Sequence, residues 1–151
     1  MDSTVYEYLF RILHYATFGF TLEVLFVALS KIADGDITAE DRYLKGSTYL
    51  WMIPIYGILL PFIFEPVRDI TSEWNILFRF ISWAVMITFF EGLVGWIYDK
   101  TLGFCPWDYS KSKYKVFDRG YTKWTLVPAW GVAGLVLEKY SDLLIRLSSS
   151  L

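Results

Sequence analysis

The chain has one cysteine, Cys105, and one histidine, His14, in 151 residues. A single cysteine excludes an intrachain disulfide and leaves the redox compartment open. With so few soft ligands, no set is spaced for a transition metal, and no metal or other cofactor is expected. Basic charge is not in excess: 14 Lys and Arg stand against 16 Asp and Glu, a net charge of −2. A nucleic-acid partner therefore has no electrostatic support. No Walker motif, phosphate-cradling glycine loop or nucleophile–base pair is present. The chain is expected to be neither its own ATPase nor any other enzyme; an intramembrane enzyme would need a nucleophile or metal set that these residues do not supply. The opening residues carry Asp2 and Glu7 with no basic stretch and no small-residue cleavage site, so they do not read as a removable signal peptide.

What is abundant is apolar and aromatic: 55% hydrophobic residues, 20% of them Phe, Trp or Tyr by total composition. Soluble domains hold roughly 45–50% apolar residues, and the distribution here matters more than the excess. From Gly46 to Phe64 nineteen residues carry no formal charge, which meets the length of about 18 at which a run reads as a spanning helix. Four such segments are expected, at about 5–32, 47–67, 77–98 and 124–144, the fourth being the weakest because Glu138, Lys139 and Asp142 follow its uncharged stretch. The expected fold is all-α: one polytopic membrane domain over residues 1–151, a bundle of four transmembrane helices with a surface loop between the third and fourth. A count of three remains the alternative.

Between the first two segments lies the polar connector Asp34-Gly-Asp-Ile-Thr-Ala-Glu-Asp-Arg42, with the composition of a turn. The second segment holds Pro54, Pro61 and Pro66, which predict a kinked span whose freed carbonyls need partners. The 99–123 connector is rich in Lys and Tyr and has no helical period. Nine Lys and Arg flank the side of the two long connectors and five flank the side of the termini. The positive-inside rule then places both termini on the non-cytoplasmic side. The expected partners are the lipid bilayer and further copies of the chain or other membrane subunits.

Glu23 and Glu91 lie deep in the first and third segments, each eight positions before a charged helix end, Lys31 and Asp99. A mid-membrane carboxylate costs about 2.5–3.5 kcal/mol on insertion scales. Such residues either form a shared cation or proton site or pin packing by accepting hydrogen bonds from a neighbouring helix. Glu65 and Glu138, four positions from Asp69 and Asp142, are expected near the interface, as are Arg11 and His14. Pro54-Ile-Tyr56-Gly57 matches Pro128-Ala-Trp130-Gly131, with a glutamate seven or eight residues later in each. This pattern fits duplication of a two-helix unit, and equally the chance likeness of two-helix hydropathy units; it adds Tyr56 and Trp130 to the candidate substrate or ion site. In the long connector, Trp107-Asp108-Tyr109-Ser110 is expected to be structural. Trp107 anchors at the headgroups and Asp108 bonds the amides of the following turn or pairs with Arg119.

Gly19 with Glu23, Gly46 before Pro54-Ile-Tyr-Gly57, Glu91 with Gly95 and Asp99, Gly103, Trp107-Asp-Tyr-Ser110 and Trp130-Gly131 together resemble the ABC-transporter type IV (CmpB-like) family of small bacterial membrane proteins and the animal transmembrane protein 229 group. Cys105-Pro-Trp-Asp-Tyr-Ser110 is most like the animal members. Leu22-Glu23 departs from the aromatic–acid pair usual in bacterial members. The resemblance covers roughly Tyr15 to Tyr140 and implies a multi-pass membrane protein of permease type. The expected function is a small permease or transport-complex subunit for a small solute or ion. The alternative is a non-transporting scaffold, assembly or lipid-binding subunit of a larger membrane complex.

Overall fold

A computed structural model describes residues 3–33 and 44–150, and the expected turn at 34–42 falls outside them. Helix α1 covers Ser3–Ala33 and is apolar on every face, a pattern that leaves no preferred solvent side. Its hydroxyls are satisfied locally, with Thr17 and Thr21 donating to the carbonyls of Leu13 and Thr17, both at 2.8 Å. Helix α2 runs over 52–71. It starts as Met52–Pro54, widens into a π-helix over Ile55–Phe64, and ends as Glu65–Thr71. Pro61 sits within the π-helical turns, so the proline-rich segment changes pitch rather than ending. Ten π-helical residues are unusual, since such turns mostly occur singly.

Helix α3, Ile76–Thr101, is started by Asn75, whose side chain accepts the Leu77 amide at 2.9 Å. It stops where the Leu102 amide closes on the Tyr98 carbonyl and Gly103 turns to φ +77°. A 3₁₀ turn at Trp124–Leu126 leads into helix α4, Val127–Ser148, with Pro128 in the first turn, where a missing N–H costs nothing. Two strands, β1 (Lys115–Val116) and β2 (Thr122–Lys123), pair antiparallel. Gly120 between them is obligatory: its φ is +68°, and a Cβ there would lie 2.5 Å from the Ser110 backbone nitrogen.

The chain forms two compact units, Met1–Pro66 with Leu144–Leu151, and Val67–Leu143. Within the first, α1 packs against the π-helical part of α2. Partners run Glu65 to Arg11 and Tyr56 to Glu23, so the two helices are antiparallel. Close approach is made by glycine: a Cβ on Gly19 would lie 2.2 Å from the Tyr56 ring, and one on Gly57 would meet Ile12 at 3.3 Å. Within the second unit, α3 and α4 pair in the same sense, Glu138 to Arg79 and Trp130 to Glu91. Here Gly131 lies against the Phe80 ring and Gly134 against Trp83.

Two helices, Thr4–Leu29 and Ile76–Thr101, are long and apolar enough to cross a membrane. Only 22% and 17% of their apolar windows are buried, whereas a soluble core helix would be mostly enclosed. Leu13, Leu29, Val85 and Phe89 are each about 60% exposed. Apolar surface on that scale needs lipid or another protein to cover it.

Candidate functional site

Each unit sets one glutamate toward either end of its helix pair, Glu23 and Glu65 in the first and Glu91 and Glu138 in the second, and the two units repeat the same arrangement. Arg11, Tyr15 and Glu23 recur 68 positions on as Arg79, Trp83 and Glu91. Thr48, Tyr56 and Gly57 recur 74 positions on as Thr122, Trp130 and Gly131. Glu65 and Glu138 are separated by 73, so the first unit has one extra residue between its glycine and its glutamate. The π-helix lies over that interval. Its wider turn takes up the additional residue and returns Glu65 to the face where Glu138 sits in the other unit.

The Glu65 and Glu138 clusters are buried ion pairs. In the first unit Arg11 Nη1 donates to Glu65 Oε2 at 2.8 Å and the Tyr15 hydroxyl to Glu65 Oε1 at 2.9 Å. In the second, Arg79 Nε donates to Glu138 Oε1 at 3.0 Å, its Nη2 donates to Oε2, and Trp83 Nε1 donates to Oε1 at 2.6 Å. Tyr15 and Trp83 are fully buried. Glu65 and Glu138, expected near an interface, are 5% and 2% exposed; a buried carboxylate persists only because an arginine and an aromatic donor from the facing helix meet it. Arg11, expected to snorkel, is likewise buried. The spacing that marks this cluster, arginine with an aromatic four positions on and a glutamate eight beyond that, occurs in both α1 and α3.

The Glu23 and Glu91 clusters differ more. Glu23 accepts the Tyr56 hydroxyl at 3.0 Å. Thr48 faces it, its buried hydroxyl directed at the carboxylate but short of full hydrogen-bond geometry with any partner among the described residues. Glu91 accepts Trp130 Nε1 at 3.0 Å, the Tyr109 hydroxyl at 3.3 Å, and the Thr122 hydroxyl. Each glutamate thus meets its expected aromatic, Tyr56 or Trp130, within its own unit.

The connector of the second unit is folded around the same point. Trp107 Nε1 donates to the Tyr121 carbonyl at 2.6 Å, and the Tyr109 amide donates to the Gly120 carbonyl at 3.0 Å. Asp108 accepts the Ser110 amide at 2.8 Å, and that bond, more than the nearby lysines, holds its carboxyl below the usual carboxylate range. Arg119 lies 3.8 Å from Asp99. Tyr121 donates to Asp99 at 2.7 Å, which pushes the phenol's pKa up. Cys105 is pushed up to about 11, first by burial and then by the carboxylates of Asp99, Asp108 and Glu91. Its thiol therefore stays protonated at neutral pH and is a poor nucleophile or ligand. Among the described residues, no three His, Cys, Asp or Glu side chains converge as a metal site would require.

Antiparallel helix pairs that expose membrane-length apolar surface and enclose paired charges define a helical membrane protein. The chain belongs to the family described as "Putative ABC-transporter type IV", which matches residues 9–150. No solved structure matches it significantly.

Proposed function

We propose that the chain is a small multi-pass membrane subunit of an ABC-type transport system, serving passage of a small solute or ion, with Glu23 and Glu91 as its polar points. Family membership supports the transport setting. The observation that carries the residue assignment is that two carboxylates inside membrane-length helices are each held by an aromatic donor on the partner helix, Tyr56 and Trp130. In this reading α2 and α4 also cross the bilayer, the chain assembles with further copies or other subunits, and both termini face the non-cytoplasmic side. Glu23 is the more available of the two, with one close hydrogen bond, from Tyr56, among the described residues and only the Thr48 hydroxyl beside it. The test is flux in proteoliposomes that carry a measurable wild-type rate: Glu23→Gln lowers it more than Glu91→Gln. Unchanged flux in both variants would refute the assignment.

A second reading is favoured by the three donors on Glu91, which suit a locked packing element better than an ion site. The chain is then a non-transporting assembly or lipid-binding subunit. That reading predicts a stable co-purifying partner, lost in Glu91→Gln while flux through the remaining complex persists.

A further inference from the structure

The same buried ion pair is closed in one unit and open in the other. In the first unit the Tyr8 ring lies 4.4 Å over the Arg11 guanidinium and itself stacks on Phe62 at 5.4 Å. The position corresponding to Tyr8 in the second unit is Ile76, whose side chain is exposed. There the Arg79–Glu138 pair borders a cavity of about 210 Å³, lined also by Arg68, Asp69, Lys139 and Asp142.

The wall is not used up by internal pairing. Glu138 occupies Nε and Nη2 of Arg79, and among the described residues Nη1 has no hydrogen bond. Lys139 is 78% exposed and lies 3.9 Å from Asp142, too far for a hydrogen bond. Arg68 already spends four of its five N–H donors, on Ser141, Asp142 and Asp69. Asp69, however, is 65% exposed and has acceptor capacity to spare. The lining therefore offers spare cationic donors on Arg79 and Lys139 and a spare carboxylate acceptor on Asp69. At about 210 Å³ it is smaller than the roughly 300–1,000 Å³ of sites for drug-sized ligands. Arg79 lies in the first turn of α3, beside the start of its membrane-length segment at Ile76, which is headgroup level if α3 crosses the bilayer there.

We propose that this cavity binds a phosphate–ammonium zwitterion of the phosphoethanolamine type, its phosphate on Arg79 Nη1 and Lys139, its ammonium on Asp69. A phospholipid headgroup and free phosphoethanolamine share this chemistry. Placement at headgroup level rests on the membrane reading; the chemistry of the cavity does not.

The test is thermal unfolding of the full chain in mild detergent with added phosphatidylethanolamine, phosphatidylcholine or phosphatidylglycerol, or with soluble phosphoethanolamine. Phosphatidylethanolamine raises the midpoint more than phosphatidylcholine, whose ammonium has no N–H to donate, and more than phosphatidylglycerol, which has no ammonium. Lys139→Gln and Asp69→Asn, both at exposed positions, each weaken apparent binding about tenfold, the scale of one charged hydrogen bond. Protection by soluble phosphoethanolamine as well assigns the free compound as a ligand; protection by the lipid alone assigns the headgroup. Equal protection by phosphatidylglycerol, variants that respond like wild type, or no shift with any of the four would overturn the proposal. Flux reads Glu23 and Glu91, which do not line this cavity, so failure there leaves this result standing.

Discussion

The two units carry the same carboxylates and have closed opposite ends of their helix pairs. In the first, the Glu65 end is sealed: Arg11 and Glu65 side chains are 9% and 7% exposed, beneath the Tyr8–Phe62 stack. Its Glu23 end is looser, with one close bond from Tyr56 and the Thr48 hydroxyl beside it. In the second, the Glu91 end is tight, closed by Tyr109, Thr122 and Trp130, and the Glu138 end opens through Arg79 into the charged cavity. Arg11 Nε in the sealed cluster also has no hydrogen bond among the described residues, so access separates the ends: the Tyr8–Phe62 stack covers one arginine and the cavity borders the other. The comparison therefore points to Glu23 in the first unit and the Arg79 cavity in the second as the places where these helices can do more than pack.

The largest effect is expected from breaking the register. Deleting one residue from α4 between Val132 and Leu135 turns Glu138 about 100° away from Arg79 and Trp83 and leaves a buried charge unpaired, so the chain should fail to accumulate as a folded species. Deleting Ile58 together with Pro61→Gly, which gives α2 the spacing of α4 and the residue that α4 has at Gly134, should be tolerated. Monodispersity on size-exclusion chromatography checks both. Equal damage from the two deletions would mean that the π-helix does something other than absorb an extra residue.

Removing one partner of a buried pair is costly by about 3–5 kcal/mol. Arg11→Leu should reach that range in denaturant unfolding. Arg79→Leu should cost less, because its side chain is 20% exposed and borders the cavity. Equal losses would erase the distinction between a closed and an open cluster.

The threonines sharpen the other end. Thr122→Val removes a buried donor from Glu91 and should destabilise by about 1–3 kcal/mol. Thr48→Val removes a buried hydroxyl that reaches Glu23 without full hydrogen-bond geometry and should cost less than Thr122→Val. If Thr48→Val is as damaging as Thr122→Val in thermal melts, the two glutamate sites are equivalent.

The smallest effect concerns Asp108, which is exposed. Its carboxyl is held below the ordinary value by the Ser110 amide, so its contribution is present above the unfolded value near 3.9 and is lost as pH falls through the lower folded value. Asp108→Asn, which keeps an accepting oxygen but does not titrate, should flatten that part of the stability–pH curve while leaving the midpoint at neutral pH little changed. A wild-type curve already flat at low pH would remove the turn from the stability account.

Much of the architecture was legible in the chain because its signals are local. Uncharged runs of membrane length and a loop with no period from 99 to 123 each report on a few neighbouring residues. The glutamates and their aromatics were legible too, since Tyr56 and Trp130 occupy matching positions in a visible repeat. What local signals missed was burial within the protein and partner choice. Arg11 near a helix start reads as a snorkelling side chain, and Glu65 near Asp69 as interfacial, because sequence distance to a polar end says nothing about which side chain faces it. The repeated spacing of arginine, aromatic and glutamate was present in α1 and α3, but its meaning lies on α2 and α4, more than fifty residues away.

By itself, then, the sequence determined a mostly helical chain with membrane-length apolar runs, a repeated Pro-x-aromatic-Gly pattern, and glutamates set within apolar segments. Periodicity, charge gaps and turn residues act within a few positions, and each of those features is of that kind. Only the tertiary structure decided which end of each half is sealed. Whether Tyr8 covers an arginine, whether Thr48 reaches Glu23, and whether one extra residue is absorbed by a wider helical turn depend on angstrom-scale contacts between helices that the chain brings together from distant positions.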